Sequence, residues 1–292
     1  MNRMLVLAVA GIVAAGAGQA GAAGPGDIAW VAAYGGDASG PDSAMAIAVD
    51  ASGNVVVTGS SEGQGTGMDI ATVKYAPDGT QLWAARFNDT LASDDEAADV
   101  VVDRLGNVIV TGYGGTSQSD QDYTTIKYNA AGVQQWVARY NSPDNSGDFA
   151  TAVAVDDSGN VFVTGWCLNL LAINADYTTI KYSPSGLLLW AKRYNGPGSG
   201  TDSARALAVD AQGNVYVTGQ STGVDSGTDY RTIKYSASGD RLWMRRYNGP
   251  GNSYDEAQAL AVDAEGNVYV AGCSAGDGSS SDDYATIKYS QE

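Results

Sequence analysis

Residues 190–242 read WAKRYNGPGSGTDSARALAVDAQGNVYVTGQSTGVDSGTDYRTIKYSASGDRL. Four short runs in this stretch carry β signals: WAKRY, ALAVD, NVYVTG and DYRTIKY. Each is rich in β-branched, aromatic or small residues and is bounded by Gly, Asn, Asp, Ser or Pro. The same unit recurs along the chain. Trp30, Trp83, Trp136, Trp190 and Trp243 open five copies, spaced 53, 53, 54 and 53 residues apart. A fixed period of this size with four strand signals per unit predicts one propeller blade per repeat. A single blade cannot bury both its faces, so neighbouring blades have to stack.

The first copy reads IAWVAAY (28–34), AMAIAVD (44–50), NVVVTG (54–59), DIATVKY (69–75) and then QLWAARF (81–87), which opens the next. The Ala-rich strand returns as AADVVVD, ATAVAVD, ARALAVD and AQALAVD. The second returns as NVIVTG, NVFVTG, NVYVTG and NVYVAG, the third as DYTTIKY twice, DYRTIKY and DYATIKY.

The combination AVDxxGNVYVTG, DYxTIKY and WxxRYNGP resembles the bacterial SBBP repeat, a family named for a seven-bladed β-propeller. The resemblance covers about residues 28–292. It implies a β-propeller in an exported bacterial protein and no particular reaction or ligand. Five copies are counted here, not seven. The expected fold is all-β: a five-bladed β-propeller of four-stranded antiparallel blades. The sequence begins its repeats with a lone Trp-bearing strand (28–34) and ends after DYATIKY. The N-terminal strand is therefore expected to pair into the last blade and close the ring, removing two open sheet edges. A fragment of a larger ring, or two chains sharing one, are the alternatives.

Residues 1–22 read as a secretory signal peptide: Arg3, an apolar run from Leu5 to Ala17, and an Ala20-Gly21-Ala22 cleavage site. Residues 23–27 are a short connecting segment, and 28–292 form one propeller domain. The expectation is export to the periplasm or outside, with no membrane span after cleavage, as a monomer. Two cysteines, Cys167 and Cys273, fall at non-equivalent positions of the third and fifth copies. They read as two thiols, with a bridge across the ring as the alternative.

Formal net charge is -17, with 33 acids against 16 bases and no histidine. Such a surface repels nucleic acid and anionic membranes. Without histidine, Ser-His-Asp and Cys-His chemistry is excluded.

Internal repetition separates scaffold from site, because a ligand contacts one asymmetric set of groups. The five Trp read as packing between blades. Lys74, Lys127, Lys181, Lys234 and Lys288, with Arg86, Arg139, Arg193 and Arg246, read as blade-to-blade ion pairs. The repeated DxxGN turn is too short for an EF-hand loop and reads as a hairpin. The other short turn, PDG or SPSG, shares its face, and alternation of connections places the two long loops of each copy on the opposite face. Together these ten loops hold 16 acids and no Lys or Arg. With Asp69, Asp122, Asp176, Asp229 and Asp283 at the starts of the third strands, 21 of the 33 acids crowd that face. An oxygen-rich, one-sign face suits Ca²⁺ or a basic partner, and solubility alone is the bland alternative. The densest candidates for a metal are Asp94, Asp95 and Glu96; Asp255 and Glu256; and Asp282 and Asp283.

Two features break the symmetry. The loop WCLNLLAINA (166–175) is uncharged and apolar, which makes Trp166, Leu168 and Leu170 candidates for contact with a partner or glycan. Met45, Ala98, Thr151, Arg205 and Gln258 are equivalent positions near the start of the inner strand, yet differ in type; Asp99 replaces an Ala beside them. Arg205, Gln258 and Asp99 are candidates for a small polar ligand. The function expected is a non-catalytic binding or scaffold module acting on protein or glycan through its long-loop face. The alternatives are a glycoside hydrolase using central carboxylates, and a calcium-stabilised structural module of the cell envelope.

Overall fold

The computed structural model describes residues 26–36, 38–89, 93–115, 121–169, 174–198, 200–276 and 282–291. The expected signal peptide and Leu170 lie outside the described residues. Alternating Val, Ile, Tyr and Thr produce 19 strands. The first sheet is β1 (Asp42–Val49), β2 (Val55–Gly63), β3 (Gly67–Tyr75) and β4 (Gln81–Phe87). The second is β5 (Glu96–Val102), β6 (Val108–Gly115), β7 (Gln121–Tyr128) and β8 (Gln134–Tyr140). The third is β9 (Asp148–Val155), β10 (Val161–Asn169), β11 (Asn174–Tyr182) and β12 (Leu188–Tyr194). The fourth is β13 (Asp202–Val209), β14 (Val215–Thr222), β15 (Thr228–Tyr235) and β16 (Arg241–Tyr247). The fifth is β17 (Asp255–Val262), β18 (Val268–Ala275) and β19 (Asp282–Tyr289). Every sheet is an antiparallel meander in chain order.

The first strands lie side by side, β1 on β5, β5 on β9, β9 on β13 and β13 on β17, with no comparable packing between the fourth strands. Sheets that converge at their first strands and splay at their last are arranged radially, as propeller blades are. The core fills the spaces between sheets. Val56 and Ile70 of the first sheet pack with Ala97, Val100 and Val108 of the second, and Tyr216 and Tyr230 of the fourth with Val268 and Val270 of the fifth. Tyrosines of the third strands also donate across these spaces: Tyr123 Oη to Thr178 O (3.3 Å), Tyr177 Oη to Arg231 O (3.3 Å) and Tyr230 Oη to Ala285 O (3.2 Å).

The DxxGN sequence is a hairpin turn. Asp50 Oδ1 accepts from the amides of Ser52 and Asn54 (2.9 Å each), and its Oδ2 accepts from Asn54 Nδ2 (2.8 Å). Gly53 sits at φ +78°, where a side chain would be strained. The same bonds recur at Asp103, Asp156 and Asp210.

Each Trp reaches forward to the next sheet. Trp83 Nε1 donates to Ala130 O (3.1 Å), Trp136 to Pro184 O (3.0 Å) and Trp190 to Ala237 O (3.2 Å). The rings lie against Tyr128, Tyr182 and Tyr235. They also cover Gly132, Gly186 and Gly239, where a Cβ would meet the indole. The tryptophans are half-buried clamps rather than fully enclosed core.

Two expectations are corrected. Residues 28–34 form no strand, β19 is hydrogen-bonded to β18 alone, and the fifth sheet has three strands. The ring is not sealed: β1 leaves Met45 58%, Ile47 68% and Val49 64% exposed, and Tyr284 of β19 is 89% exposed. The physical reason is that the N-terminal segment is held by the first sheet. Trp30 Nε1 donates to Pro77 O (3.0 Å) and its ring lies 6.0 Å from that of Tyr75.

Secondly, the repeated ion pairs lie within sheets, not between them. Lys74 meets Asp50 (2.9 Å) and Lys127 meets Asp103 (3.4 Å). Burial opposes ionisation of Asp50, but Lys74 and the Asn54 bonds outweigh it and hold the carboxyl well below its usual range. In the other three sheets an aromatic replaces Val56 or Ile109, and the lysine lies over its ring: Lys181 over Phe162, Lys234 over Tyr216 and Lys288 over Tyr269.

Candidate functional site

The long-loop end of the inner strands is where the copies differ. Its frame is fivefold. Asp42, Asp95, Asp148, Asp202 and Asp255 each point one oxygen at the amide six residues upstream, on Gly36, Asp89, Ser142, Gly196 and Gly249. This clamp fixes the approach of each loop to its inner strand. Four of the five are buried, Asp42 being the exposed one. Asp95 and Asp255, expected as metal ligands, are thus committed to backbone. Their recurrence at the repeat period was the signal.

Above the clamp the chain makes a bulge. The ladder skips one residue between Ala44 and Ala46, and likewise at Ala98, Thr151, Arg205 and Gln258. Opposite each skipped residue stands a glycine: Gly59, Gly112, Gly165, Gly219 or Gly272. A Cβ there would overlap the carbonyl of Ser43, Glu96, Phe149, Ser203 or Glu256. The glycine of each second strand, in a TG pair in four sheets and an AG pair in β18, admits the bulge. The extra residue is left out of the ladder at the inner edge. The five positions that vary in sequence are therefore the five bulged ones.

The cross-strand pair next to each bulge varies as well: Ser43–Ser60, Glu96–Tyr113, Phe149–Trp166, Ser203–Gln220 and Glu256–Cys273. Trp166 lies within β10, not in a loop, and stacks on Phe149 with centroids 4.1 Å apart and planes at 23°. Phe149 meets Tyr113 of the second sheet edge-on at 4.9 Å. Tyr113 Oη donates to Glu96 Oε2 (2.6 Å). Burial, and then Glu96, push the Tyr113 phenol well above its usual range. Leu168 lies beside Phe149 at Gly147. On the far side, Arg205 Nε meets Glu256 Oε1 (2.6 Å), and Tyr254 Oη donates to Glu256 Oε2 (2.6 Å). Gln258 Nε2 reaches Cys273 Sγ at 4.0 Å.

Asp99 is a brace. Its oxygens accept from Val100 N (2.8 Å) and from Val153 N (2.9 Å) of the third sheet. Burial raises its pKa, and the two amides partly offset this. Thr151 Oγ1 makes a parallel link to Ala204 O (2.9 Å).

The acid clusters are dispersed. Asp94 accepts from Met68 N (2.9 Å), Asp95 from Asp89 N (2.8 Å) and Glu96 from Tyr113. Asp283 is exposed; the side chain of Asp282 lies outside the described residues. Among the described residues no three acidic or cysteine side chains converge as a ligand set. The acidic face also contains cations that the loop count missed, because they belong to the fourth strands. Arg86 pairs with Asp69 (2.5 Å), Arg193 with Asp176 (2.7 Å), Arg246 with Asp229 (2.5 Å) and Arg139 with Asp89.

Asp95 stands apart from its equivalents. Cys167 and Ser221 hydrogen-bond to Asp148 and Asp202, but the matching residue of the second sheet is Gly114. Asp95 Oδ1 leans over that glycine with no hydrogen-bond partner among the described residues. Burial first, with Asp89 and Asp69 adding negative charge, pushes the Asp95 carboxyl up to about 6. Burial and Asp148 also raise the Cys167 thiol above its ordinary range. Cys167 and Cys273 are not bonded to each other.

Residues 135–167, 189–225 and 242–278 match the family model described as SBBP, a β-propeller repeat. The chain carries SBBP-type β-propeller repeats. This repeat protein is 23% identical over 235 residues to the uncharacterized WD repeat-containing protein L264 of Acanthamoeba polyphaga mimivirus, covering 70% of this chain and 14% of that one. It is 33% identical over 119 residues to the regulatory protein FlaEY of Caulobacter vibrioides, covering 35% and 12%. It therefore spans a small part of either relative's length. Among solved structures, the β-propeller domain of the Trilobed protease from Pyrococcus furiosus, described as having an open velcro topology, superposes with a TM-score of 0.50 at 6% identity, over 85% of this chain and 68% of that one. At that identity the likeness concerns the fold alone.

Proposed function

We propose that this SBBP-type repeat protein is an exported, non-catalytic binding module whose partner, a protein or glycan, docks at the long-loop end of its inner strands. One observation carries the reading. Five bulges share one geometry and one glycine, while their residues are Met45, Ala98, Thr151, Arg205 and Gln258. A scaffold role would favour the same residue in all five. The test is retention of labelled protein on bacterial envelope fractions. The Arg205→Ala/Gln258→Ala double variant is expected to lose retention, and Asp157→Ala, on the turn end, to keep it. Equal retention of both variants overturns the reading.

A hydrolase is the second reading. Glu96 and Glu256 hold equivalent inner-strand places, each accepting a tyrosine hydroxyl at 2.6 Å. Asp99 is spent on two amides and is not the acid. Release of reducing sugar abolished by Glu256→Gln would favour this reading over plain binding.

A further inference from the structure

Among the described residues, aromatic contacts that involve the first strands at the loop end occur at the junction of the second and third sheets. At the same level the first sheet carries Ser43 and Ser60, the fourth Ser203 and Gln220, the fifth Glu256 and Cys273. Only at this junction do Tyr113, Phe149 and Trp166 touch in sequence, from edge contact to stack. The arrangement is braced. Leu168 N donates to Gly147 O (2.9 Å) and Ser146 Oγ to Leu168 O (2.6 Å), tying the preceding loop to the end of β10. Glu96 is held by Tyr113 through one oxygen, and its Oε1 makes no hydrogen bond among the described residues.

We propose that this junction is a sugar-binding subsite for a neutral or amino pyranose. The proposal rests on the loop-end binding reading and names the ligand class. A pyranose has a flat C–H face that packs on an aromatic ring, and a rim of hydroxyls that need acceptors. The half-buried Trp166 has Phe149 on one side and supplies the platform with its accessible remainder. Glu96 supplies a fixed acceptor beside it. The loop end is predominantly acidic, and the fourth-strand arginines on it are paired with Asp69, Asp89, Asp176 and Asp229, so sialylated, sulfated and uronic sugars are disfavoured, whereas an amine is welcomed by Glu96. A basic peptide would need several uncommitted carboxylates at one place. Here the neighbours are taken: Asp94 by Met68 N, Asp95 by Asp89 N and Glu256 by Arg205.

The test is a glycan array spanning neutral, amino, sialylated and sulfated glycans, followed by titration of the strongest neutral or amino binder. Wild type is expected to bind neutral or amino glycans only. Trp166→Ala and Phe149→Ala are expected to weaken binding by about tenfold or more, as loss of a stacking anchor does. Trp166→Tyr, which keeps a ring, is expected to retain most of it. Glu96→Gln is expected to weaken amino sugars more than neutral ones, a split that a merely structural effect would not produce. Unchanged melting of Trp166→Tyr and Glu96→Gln keeps the comparison valid if an alanine variant fails to fold. No neutral or amino glycan bound, or binding equal in Trp166→Ala, overturns the proposal. A decalysine peptide run alongside separates the two readings. Binding of it to wild type without any glycan signal leaves the loop end as a docking face and removes the sugar; no binding of either removes both.

Discussion

At the turn end of the sheets, Asp50, Asp103, Asp156 and Asp210 hold hairpins of one design, and Trp30, Trp83, Trp136 and Trp190 each clamp the next sheet's turn through one hydrogen bond and one glycine. At the loop end of the same strands, every copy shares an Asp clamp and a bulge but then diverges, to Arg205 facing Glu256 in one place and Phe149 stacked on Trp166 in another. Both ends are built from one repeat, so the difference is not one of fold. Contacts between sheets are made alike at the turn end, and any departure there disrupts a neighbour. At the bulges the extra residue answers to no neighbour in the ladder, and its identity is free to serve a ligand.

That contrast can be broken by stability measurements. Trp136→Ala removes an indole that covers Gly186 and donates to Pro184 O; chemical denaturation is expected to register a loss of about 3 kcal/mol. Asp156→Ala leaves the Ser158 and Asn160 amides and the Asn160 side chain without their acceptor, and about 1–2 kcal/mol is expected. Asp95→Asn sharpens the contrast at the loop end. The folded carboxyl, pushed up to about 6, binds its proton more tightly than the unfolded chain does. This group therefore favours folding more as pH falls from 7 towards 4, and disfavours it at neutral pH. Asp95→Asn is expected to stabilise at pH 7 by on the order of 1 kcal/mol and to flatten that stretch of the profile; a variant equally or less stable at pH 7 contradicts the burial argument. Gln258→Ala, at an exposed bulge, is expected to move stability by no more than about 0.5 kcal/mol. Should Gln258→Ala cost as much as Trp136→Ala, the division between the two ends fails.

Strand positions and turns were legible because their signals are local: period-two alternation, and Asp and Gly at fixed offsets in a tight hairpin. The bulges were hidden because Ala44-Met45-Ala46-Ile47 still alternates small and large across the extra residue. The glycine of the TG pair, inside an otherwise β-branched strand, was the available clue. The Asp clamp was missed for a different reason. Asp95 and Asp255 stand beside Asp94, Glu96 and Glu256, and a run of acids looks like one cluster until burial separates its members. Partner choice is the least legible layer. Lys74 and Lys181 share a motif, yet the aromatic at Phe162 in place of Val56 sends one lysine to a carboxylate and the other to a ring face. The open seam has the same origin: Trp30 fits the first sheet by short-range packing, while pairing of residues 28–34 with β19 depends on how all five sheets curve.

The tyrosine hydroxyls that cross from one third strand to the next have a consequence for how such chains change length. Tyr123, Tyr177 and Tyr230 each offer a donor forward and find a main-chain acceptor that every third strand possesses whatever its side chains. A duplicated unit spliced between the third and fourth sheets would present the same donor on one side and the same acceptor on the other. This one link would therefore survive the addition of a whole unit, even where the side-chain contacts between inner strands differ from junction to junction.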